Sequence, residues 1–357
     1  KNMKNYLKSK LYLFKELIKQ RGNIISDANI PQINKIKNIS LKRNINLSLI
    51  FNKEKGIELI SHKYLGEKQI LKILFQRKKY EITLNLIGKI QIKNVLMAIL
   101  AANKSGLRFK QIINVIDKIK PVQGRLEKIG AIKNNSRVIL DYAHTPDALE
   151  TTLMSIKEQF PKSKIILVFG CGGERDYKKR SIMGKIAEKY SDRIYLTDDN
   201  PRNEDPSTIR KDIKKGIKRT NIWELPDRKK AIHEAIMSLN IGELLLVTGK
   251  GHEKIQDYGK KKLFFSDKQI ILKSIKYKNK YLSKDLKLNI IKAESKSKIS
   301  NKTIIKNISI NSKSIKKNDV FFEIKGARID GNRFVSEAIK KKSSLAIVNK
   351  INRNYPL

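Results

Sequence analysis

Apolar residues recur along this chain at two spacings, and the two alternate. Short runs rich in Val, Ile and Leu mark Val138–Leu140, Ile165–Phe169, Ile194–Leu196 and Leu244–Val247. Runs of that length and composition predict buried strands. Helical spacing lies between them. In Asp227–Leu239, for example, Ala231, Ile232, Ala235, Ile236 and Leu239 share one face, and His233 falls off it and is expected in solvent. Strand alternating with helix predicts an α/β fold with a mostly parallel sheet and crossover helices. Parallel strands end on one edge, so the turns that follow them are expected to line a single crevice.

The first third has a different texture. Asn5–Gln20 carries Tyr6, Leu7, Leu11, Phe14, Leu17 and Ile18 at helical spacing, with Lys10 near that face. On the pattern alone Lys10 is a snorkelling lysine. From Arg21 to Leu86, β-like runs at Asn23–Ile25, Leu47–Phe51, Ile57–Ile60 and Tyr80–Leu84 are separated by polar linkers. Gly88–Asn94 leads into an apolar helix, Val95–Ala102, with Asn94 expected in its first turn, either capping it or reading a base edge. Gln111–Ile119 predicts another amphipathic helix. Pro121–Glu127 then breaks the pattern and is the expected domain joint. Arg125 within it is a solvated hinge residue or a phosphate ligand.

Each later turn carries unusual chemistry. Asp141-Tyr142-Ala143-His144-Thr145-Pro146 puts a proline at or near a helix start, where partial positive charge suits a phosphate; by itself His144 is more simply a helix cap. Gly170-Cys171-Gly172-Gly173-Glu174-Arg175-Asp176 allows close backbone approach, and its Arg175 suits a carboxylate. Thr197-Asp198-Asp199-Asn200-Pro201-Arg202 joins two acids, an amide and an arginine, a set that fits a zwitterion better than a plain Asx turn. Gly249-Lys250-Gly251-His252-Glu253 adds an acid able to hold an amine.

A formal net charge of +44 over 357 residues changes this picture little. The lysines are spread through every kind of segment, and no basic stretch is interleaved with aromatics, so nucleic-acid binding is not expected. A polyanionic substrate is a secondary contributor. A single cysteine, Cys171, excludes an internal disulfide and fits a reducing, cytoplasmic compartment. No run is long enough to span a membrane.

Seven motifs in order, Tyr6–Lys10, Gly88–Asn94, Gly124–Glu127, Asp141–Pro146, Gly170–Asp176, Asp198–Arg202 and Gly249–Glu253, resemble the Mur ligases of peptidoglycan synthesis. Gln91 departs mildly, standing where that family often has Asn. The resemblance implies an ATP- and Mg2+-dependent amide ligase, of the branch that adds meso-diaminopimelate to a UDP-N-acetylmuramoyl dipeptide, and a monomer is expected. It implies residues 1–121 as the later part of a central ATPase domain, without its Gly-x-x-Gly-Lys-Thr/Ser loop, and 122–276 as a Rossmann-like amino-acid-binding domain. Lys10 is then a carbamylated, magnesium-bridging lysine. Asn94, Arg125, Asp141 and His144 are implied to face ATP, and Arg175, Asp199, Asn200, Pro201, Arg202, Gly249 and Glu253 to hold meso-diaminopimelate.

From about Tyr277 a second piece begins. Lys278–Ser300 reads as a linker or a β-rich start. Ile308–Lys313, Asp319–Gly326, Asp330–Phe334, a helix at Val335–Lys341 and a strand at Leu345–Val348 follow. This piece resembles the small α/β UDP-sugar-binding first domain of a Mur ligase, which at 277–357 implies the start of a second ligase, the D-alanyl-D-alanine-adding member. The chain is thus expected to be the middle of a fused two-ligase protein. The competing expectations are a ligase like folylpolyglutamate synthase and a basic nucleic-acid-binding protein.

Overall fold

The computed structural model describes residues 3–219, 222–294, 308–323 and 331–348. Two compact units divide the chain, Lys1–Ile275 and Lys276–Leu357.

The first unit holds two large sheets. The first has the order β1 (Asn23–Asp27), β2 (Asn46–Ile50), β3 (Gly56–Leu65), β4 (Lys68–Phe75), β5 (Lys78–Leu84). Its first three strands run parallel, and β3–β4–β5 form an antiparallel meander. Helix α1 (Met3–Tyr12) continues into a π-helical turn at Leu13–Leu17, and α2 (Ile33–Lys42) joins β1 to β2. The helix α3 (Ile90–Lys104) buries Ile92, Val95, Leu96, Ile99 and Leu100 in the core that includes Ile57, Leu71, Ile73 and Leu84. Two elements here differ from the expected linkers. In α2 the buried face is only Ile36, Ile39 and Ser40, and surrounding Lys and Asn hide its period. In β4, burial alternates through Gln69, Leu71, Ile73 and Phe75, but apolar residues on both faces blur the period of two. The helix expected at Gln111–Ile119 is instead a short α4 (Phe109–Ile113) and a separate 3-10 turn at Ile116–Lys118.

The second sheet has the order β10 (Ile222–Glu224), β9 (Arg193–Leu196), β8 (Ile165–Phe169), β11 (Leu244–Val247), β7 (Arg137–Leu140), β6 (Glu127–Lys128). All neighbours are parallel except β6–β7. Every residue of β8 and β11 is buried, which is why their sequences are unbroken apolar runs rather than alternations. Four helices connect the strands: α5 (Pro146–Gln159), α6 (Lys178–Tyr190), α7 (Pro206–Lys214) and α8 (Arg228–Met237). The antiparallel hairpin β12 (Ile255–Tyr258) and β13 (Lys261–Phe264) precedes α9 (Asp267–Glu294). That helix covers Lys278–Glu294, where a linker or β-rich start was expected; Lys and Leu are good helix formers. Residues 295–300 lie outside the described residues. His233 is part-buried rather than solvated, its Nδ1 3.1 Å from Ser274 Oγ on α9.

The β3–β4 hairpin links the two sheets. At its tip Glu67 accepts from Lys128 Nζ at 2.7 Å and Arg137 Nε at 3.1 Å. Gln159 Nε2 donates to Gly66 O at 3.1 Å, and Tyr64 OH donates to Glu158 Oε2 at 3.2 Å.

In the second unit, β14 (Ile308–Ser309), β15 (Val320–Phe322) and β16 (Leu345–Ile347) form a parallel sheet. The helix α10 (Val335–Lys340) packs Val335 and Ala338 with Ile315 and Phe321. Residues 324–330, part of two of the expected segments, lie outside the described residues. Among the described residues no helix is long and apolar enough to cross a membrane.

Candidate functional site at the sheet edge

The strands β7, β8, β9 and β11 run parallel, so the turns after them lie on one edge, as the alternation predicts. Glycines let these turns touch backbone to backbone. A Cβ on Gly173 would strike the carbonyl of Pro201, and Gly173 N donates to Asn200 O at 2.9 Å. A Cβ on Gly249, whose φ is +110°, would strike Asp199 Oδ2.

Three turns bring polar groups together. Asn200 Nδ2 donates to Glu253 Oε2 at 3.0 Å, and Tyr142 OH donates to Glu253 Oε1 at 3.3 Å. Lys250 Nζ donates to Asn200 Oδ1 at 2.9 Å and to Glu253 Oε2 at 3.1 Å. Arg202 sits beside them with a left-handed φ of +54°. Its Nη1 donates to Gly173 O at 2.5 Å, and its Nε lies 4.0 Å from Asp257 Oδ2. At 23% exposure the guanidinium still reaches solvent and has donors to spare. Arg175 stands exposed on the second turn.

The two acids of the hexad face inward. Asp198 pairs with Arg210 Nη1 on α7, and Tyr258 OH donates to its other oxygen at 3.4 Å. Asp199 is buried, which pushes its carboxyl up; the charges of Arg228 and Lys250 act against that. Both acids of the hexad are buried, whereas Glu253 is only part-buried.

The residues in and beside the Pro121–Glu127 segment, the expected joint, form a second group. Gln91 Nε2 donates to Arg125 O at 3.4 Å, and Asn94 Nδ2 donates to Gln91 Oε1 at 3.2 Å. Asn94 is the fifth residue of α3, in its second turn, so it does not cap that helix. The Arg125 guanidinium is exposed and lies 4.5 Å from the centre of the Tyr142 ring. A Cβ on Gly124 would come within 2.5 Å of His252 N, so the joint rests on the fourth turn. His144 does not cap α5: Thr145 does, accepting from Ala148 N, while His144 is exposed with Nδ1 3.0 Å from Tyr142 O. Asp141 is a clamp within the chain. One oxygen accepts from Leu126 N at 2.8 Å, and the other from Ala143 N at 2.9 Å and Thr152 Oγ1 at 3.2 Å. Burial raises its carboxyl, and those bonds oppose the rise.

Two groups of charged residues escaped the sequence reading. Arg228 is fully buried; its Nε and Nη2 grip the Asp267 carboxylate at 2.8 and 2.7 Å, and Nη2 also donates to Thr248 O at 2.7 Å. Arg180 is buried between Glu204 and Asp212 at 2.6 and 3.1 Å. Only the Asp227 cap just before Arg228 hints at its place in sequence, and nothing local marks its burial.

Burial pushes the Glu253 carboxyl up, but bonds from Asn200 and Lys250 outweigh it and leave it below its ordinary 4.5. Such a carboxylate stabilises the fold above its ordinary value, and the contribution is lost as pH falls through its own lower value. Urea unfolding should therefore show no Glu253-dependent change between pH 7 and pH 5, and a loss below about 4.5. Glu253→Gln should remove that part of the acid slope; an unchanged slope would deny the pairing.

Lys10 is exposed, with Nζ 5.4 Å from the Tyr6 ring centre. Among the described residues no three His, Cys, Asp or Glu side chains are grouped to hold a metal ion. An ammonium repels a cation, so these side chains do not fit magnesium as they stand.

Comparison with known proteins agrees with this layout. Residues 1–102 match the Mur ligase middle domain, 124–251 the Mur ligase glutamate ligase domain, and 304–353 the Mur ligase family catalytic domain. The chain belongs to the Mur ligase family. It is 38% identical over 273 residues to UDP-N-acetylmuramoyl-L-alanyl-D-glutamate–2,6-diaminopimelate ligase of Rickettsia montanensis, across 76% of this chain and 56% of that protein. With the protein of that name from Wigglesworthia glossinidia brevipalpis it shares 41% over 284 residues, 78% of this chain and 56% of the other. The chain thus spans 56% of the length of these relatives. A solved structure of a ligase of the same name superposes with a TM-score of 0.55 at 25% identity, covering 78% of this chain and 57% of that one. MurF ligase from Thermotoga maritima in complex with ADP gives 0.55 at 15% identity over 78% and 58%, a likeness of fold.

Proposed function

We propose that the full-length protein carrying this chain is an ATP-dependent ligase that adds meso-diaminopimelate to UDP-N-acetylmuramoyl-L-alanyl-D-glutamate. The observation that supports it most is the meeting of Asn200, Arg202, Glu253 and Tyr142 from separate turns on one sheet edge. A part-exposed guanidinium and an ionised carboxylate on one sheet edge complement a zwitterion. In this reading Glu253, held in place by Asn200, takes the ammonium and Arg202 a carboxylate of the incoming amino acid, with Arg175 at the rim. Pro201, Gly249 and Asp199 shape the turn.

When bound, ATP supplies the phosphoryl group that turns the D-glutamyl carboxylate into an acyl phosphate. Arg125, Asn94 and His144 present exposed polar groups beside the joint and are assigned to its binding. Asp141 contributes there by fixing Leu126, Ala143 and Thr152 rather than by offering a free oxygen. Lys10 fits magnesium only as a carbamate: carbon dioxide adds to the neutral amine, a proton leaves, and a repelling group becomes an anionic oxygen donor. Residues 277–357 are assigned to the first domain of a second, D-alanyl-D-alanine-adding ligase, a reading supported by the family match at 304–353.

The test is ligation by the purified full-length protein. With ATP, the UDP-linked dipeptide and meso-diaminopimelate it should release ADP and the UDP-linked tripeptide. Glutamate addition to a folate with no tripeptide formed would favour the other ligase reading. The chain printed here contains no Gly-x-x-Gly-Lys-Thr/Ser run and should not ligate by itself. Amide formation by this chain, cleared of contaminating ligase, would overturn that expectation.

In the full-length protein Lys10→Ala should abolish most activity, with partial rescue by added short-chain carboxylates. Unchanged rates would return Lys10 to the role of a snorkelling lysine.

A further inference from the structure

Lys250 is among the largest fully buried side chains of the molecule, an unusual place for an ammonium. All three of its N–H bonds are taken within the chain: Asn200 Oδ1 at 2.9 Å, Glu253 Oε2 at 3.1 Å and Ile255 O at 2.6 Å. None remains for a phosphate or a substrate. Any effect of Lys250 on a ligand therefore runs through its neighbours.

Those neighbours are held in one orientation. Asn200 Oδ1 receives Lys250 and also Asp257 N at 3.0 Å, so its amide nitrogen must face Glu253 Oε2, which it meets at 3.0 Å. Glu253 Oε2 thus carries two strong donors. Its Oε1 has one hydrogen bond, from the Tyr142 hydroxyl at 3.3 Å, longer than an ordinary O–H···O bond.

We propose that Lys250 is a positioning residue for the incoming amino acid: it locks Asn200 and Glu253 into a rigid triangle that leaves Glu253 Oε1 as the oxygen offered to the ligand's ammonium. The inference rests on the reading of this edge as the amino-acid site, and it adds which atom of Glu253 is presented and what fixes it. Tyr142 OH then occupies the ammonium's place and gives way to it.

Steady-state kinetics of the full-length protein with meso-diaminopimelate test this. Lys250→Met should raise KM by on the order of ten- to a hundredfold, with a smaller change in kcat, because a charge-assisted anchor is lost from binding. Combined with Glu253→Gln it should add less than about twofold to the KM of Glu253→Gln alone, since both act through one carboxylate. Multiplied losses in the double variant, or an unchanged KM in Lys250→Met, would overturn the proposal. Tyr142→Phe guards against a Lys250→Met variant that fails to fold, because it leaves the buried charges in place. It should keep or lower KM; a tenfold rise would show that Oε1 is not the oxygen offered. A wild-type protein inactive with meso-diaminopimelate would instead overturn the reading of the site, and this inference with it.

Discussion

Arg202→Ala should lower kcat/KM of the full-length protein for meso-diaminopimelate on the order of ten- to a hundredfold, and its weak activity on L-lysine far less. The two amino acids share a chain and one zwitterionic end; diaminopimelate has a carboxylate where lysine has a hydrogen. A charge-assisted hydrogen bond to that carboxylate is worth roughly 1.5–3 kcal/mol, and about 1.4 kcal/mol is a factor of ten. Arg202 is built for such a contact. Its backbone is fixed through Arg202 N donating to Asp257 O at 2.9 Å, and Nη1 is fixed on Gly173 O. Gly172 leaves room beside it, since a Cβ there would lie 3.1 Å from Nη1. The remaining donors are free of such ties to backbone. With lysine bound, the same cation meets no matching charge, which widens the preference. Paired kinetics on the two substrates decide the matter, and equal losses on both would mean that Arg202 does not read the second carboxylate.

A larger effect on stability is expected from the buried pair behind the site. Arg228 and Asp267 are both 0% exposed in their side chains. Removing one partner leaves the other charge buried and uncompensated, at a cost of about 3–5 kcal/mol. Arg228→Met or Asp267→Ala should therefore lower the thermal midpoint by roughly 6–20 °C, at 2–4 °C per kcal/mol. The pair itself is a poor source of net stability, because its attraction is offset by desolvation. Arg228→Met combined with Asp267→Leu should accordingly be less damaging than either single change. Calorimetry of the three variants checks this; single changes below about 1 kcal/mol would contradict the burial. The double variant still loses the tie from Arg228 Nη2 to Thr248 O, just before Gly249, so its amino-acid affinity should not return with its stability.

The strands and turns were legible because their signals are local. An apolar run followed by Gly170, Asp141 or Thr197 announces a strand end, and parallel order then gathers the ends. The burial of Lys250 and Arg228 was not legible, because it depends on acceptors such as Ile255 O and Asp267 that the fold brings around them. Asp141 shows the same limit. An acid at a strand end suggests a ligand, but its oxygens are satisfied by Leu126, Ala143 and Thr152, the first of these 15 residues away in sequence. His144 and Asn94 looked like caps, but the N-cap positions are Thr145, one residue after His144, and Lys89, five residues before Asn94. In α2 and β4 the difficulty was compositional: lysine, asparagine and isoleucine occupy inner and outer positions alike.

The β3–β4 hairpin has a mechanical consequence. A ten-residue strand such as β3 is about 33 Å long. With Glu67 bonded to Lys128 and Arg137 at its tip, the hairpin ties the two sheets together in addition to the covalent Pro121–Glu127 segment. The sheets are thus fastened twice, once by covalent bonds and once by charge. Glu67 and Lys128 are each 36% exposed, so mobile ions reach and screen them. Added salt should therefore slacken the second fastening and leave the first untouched.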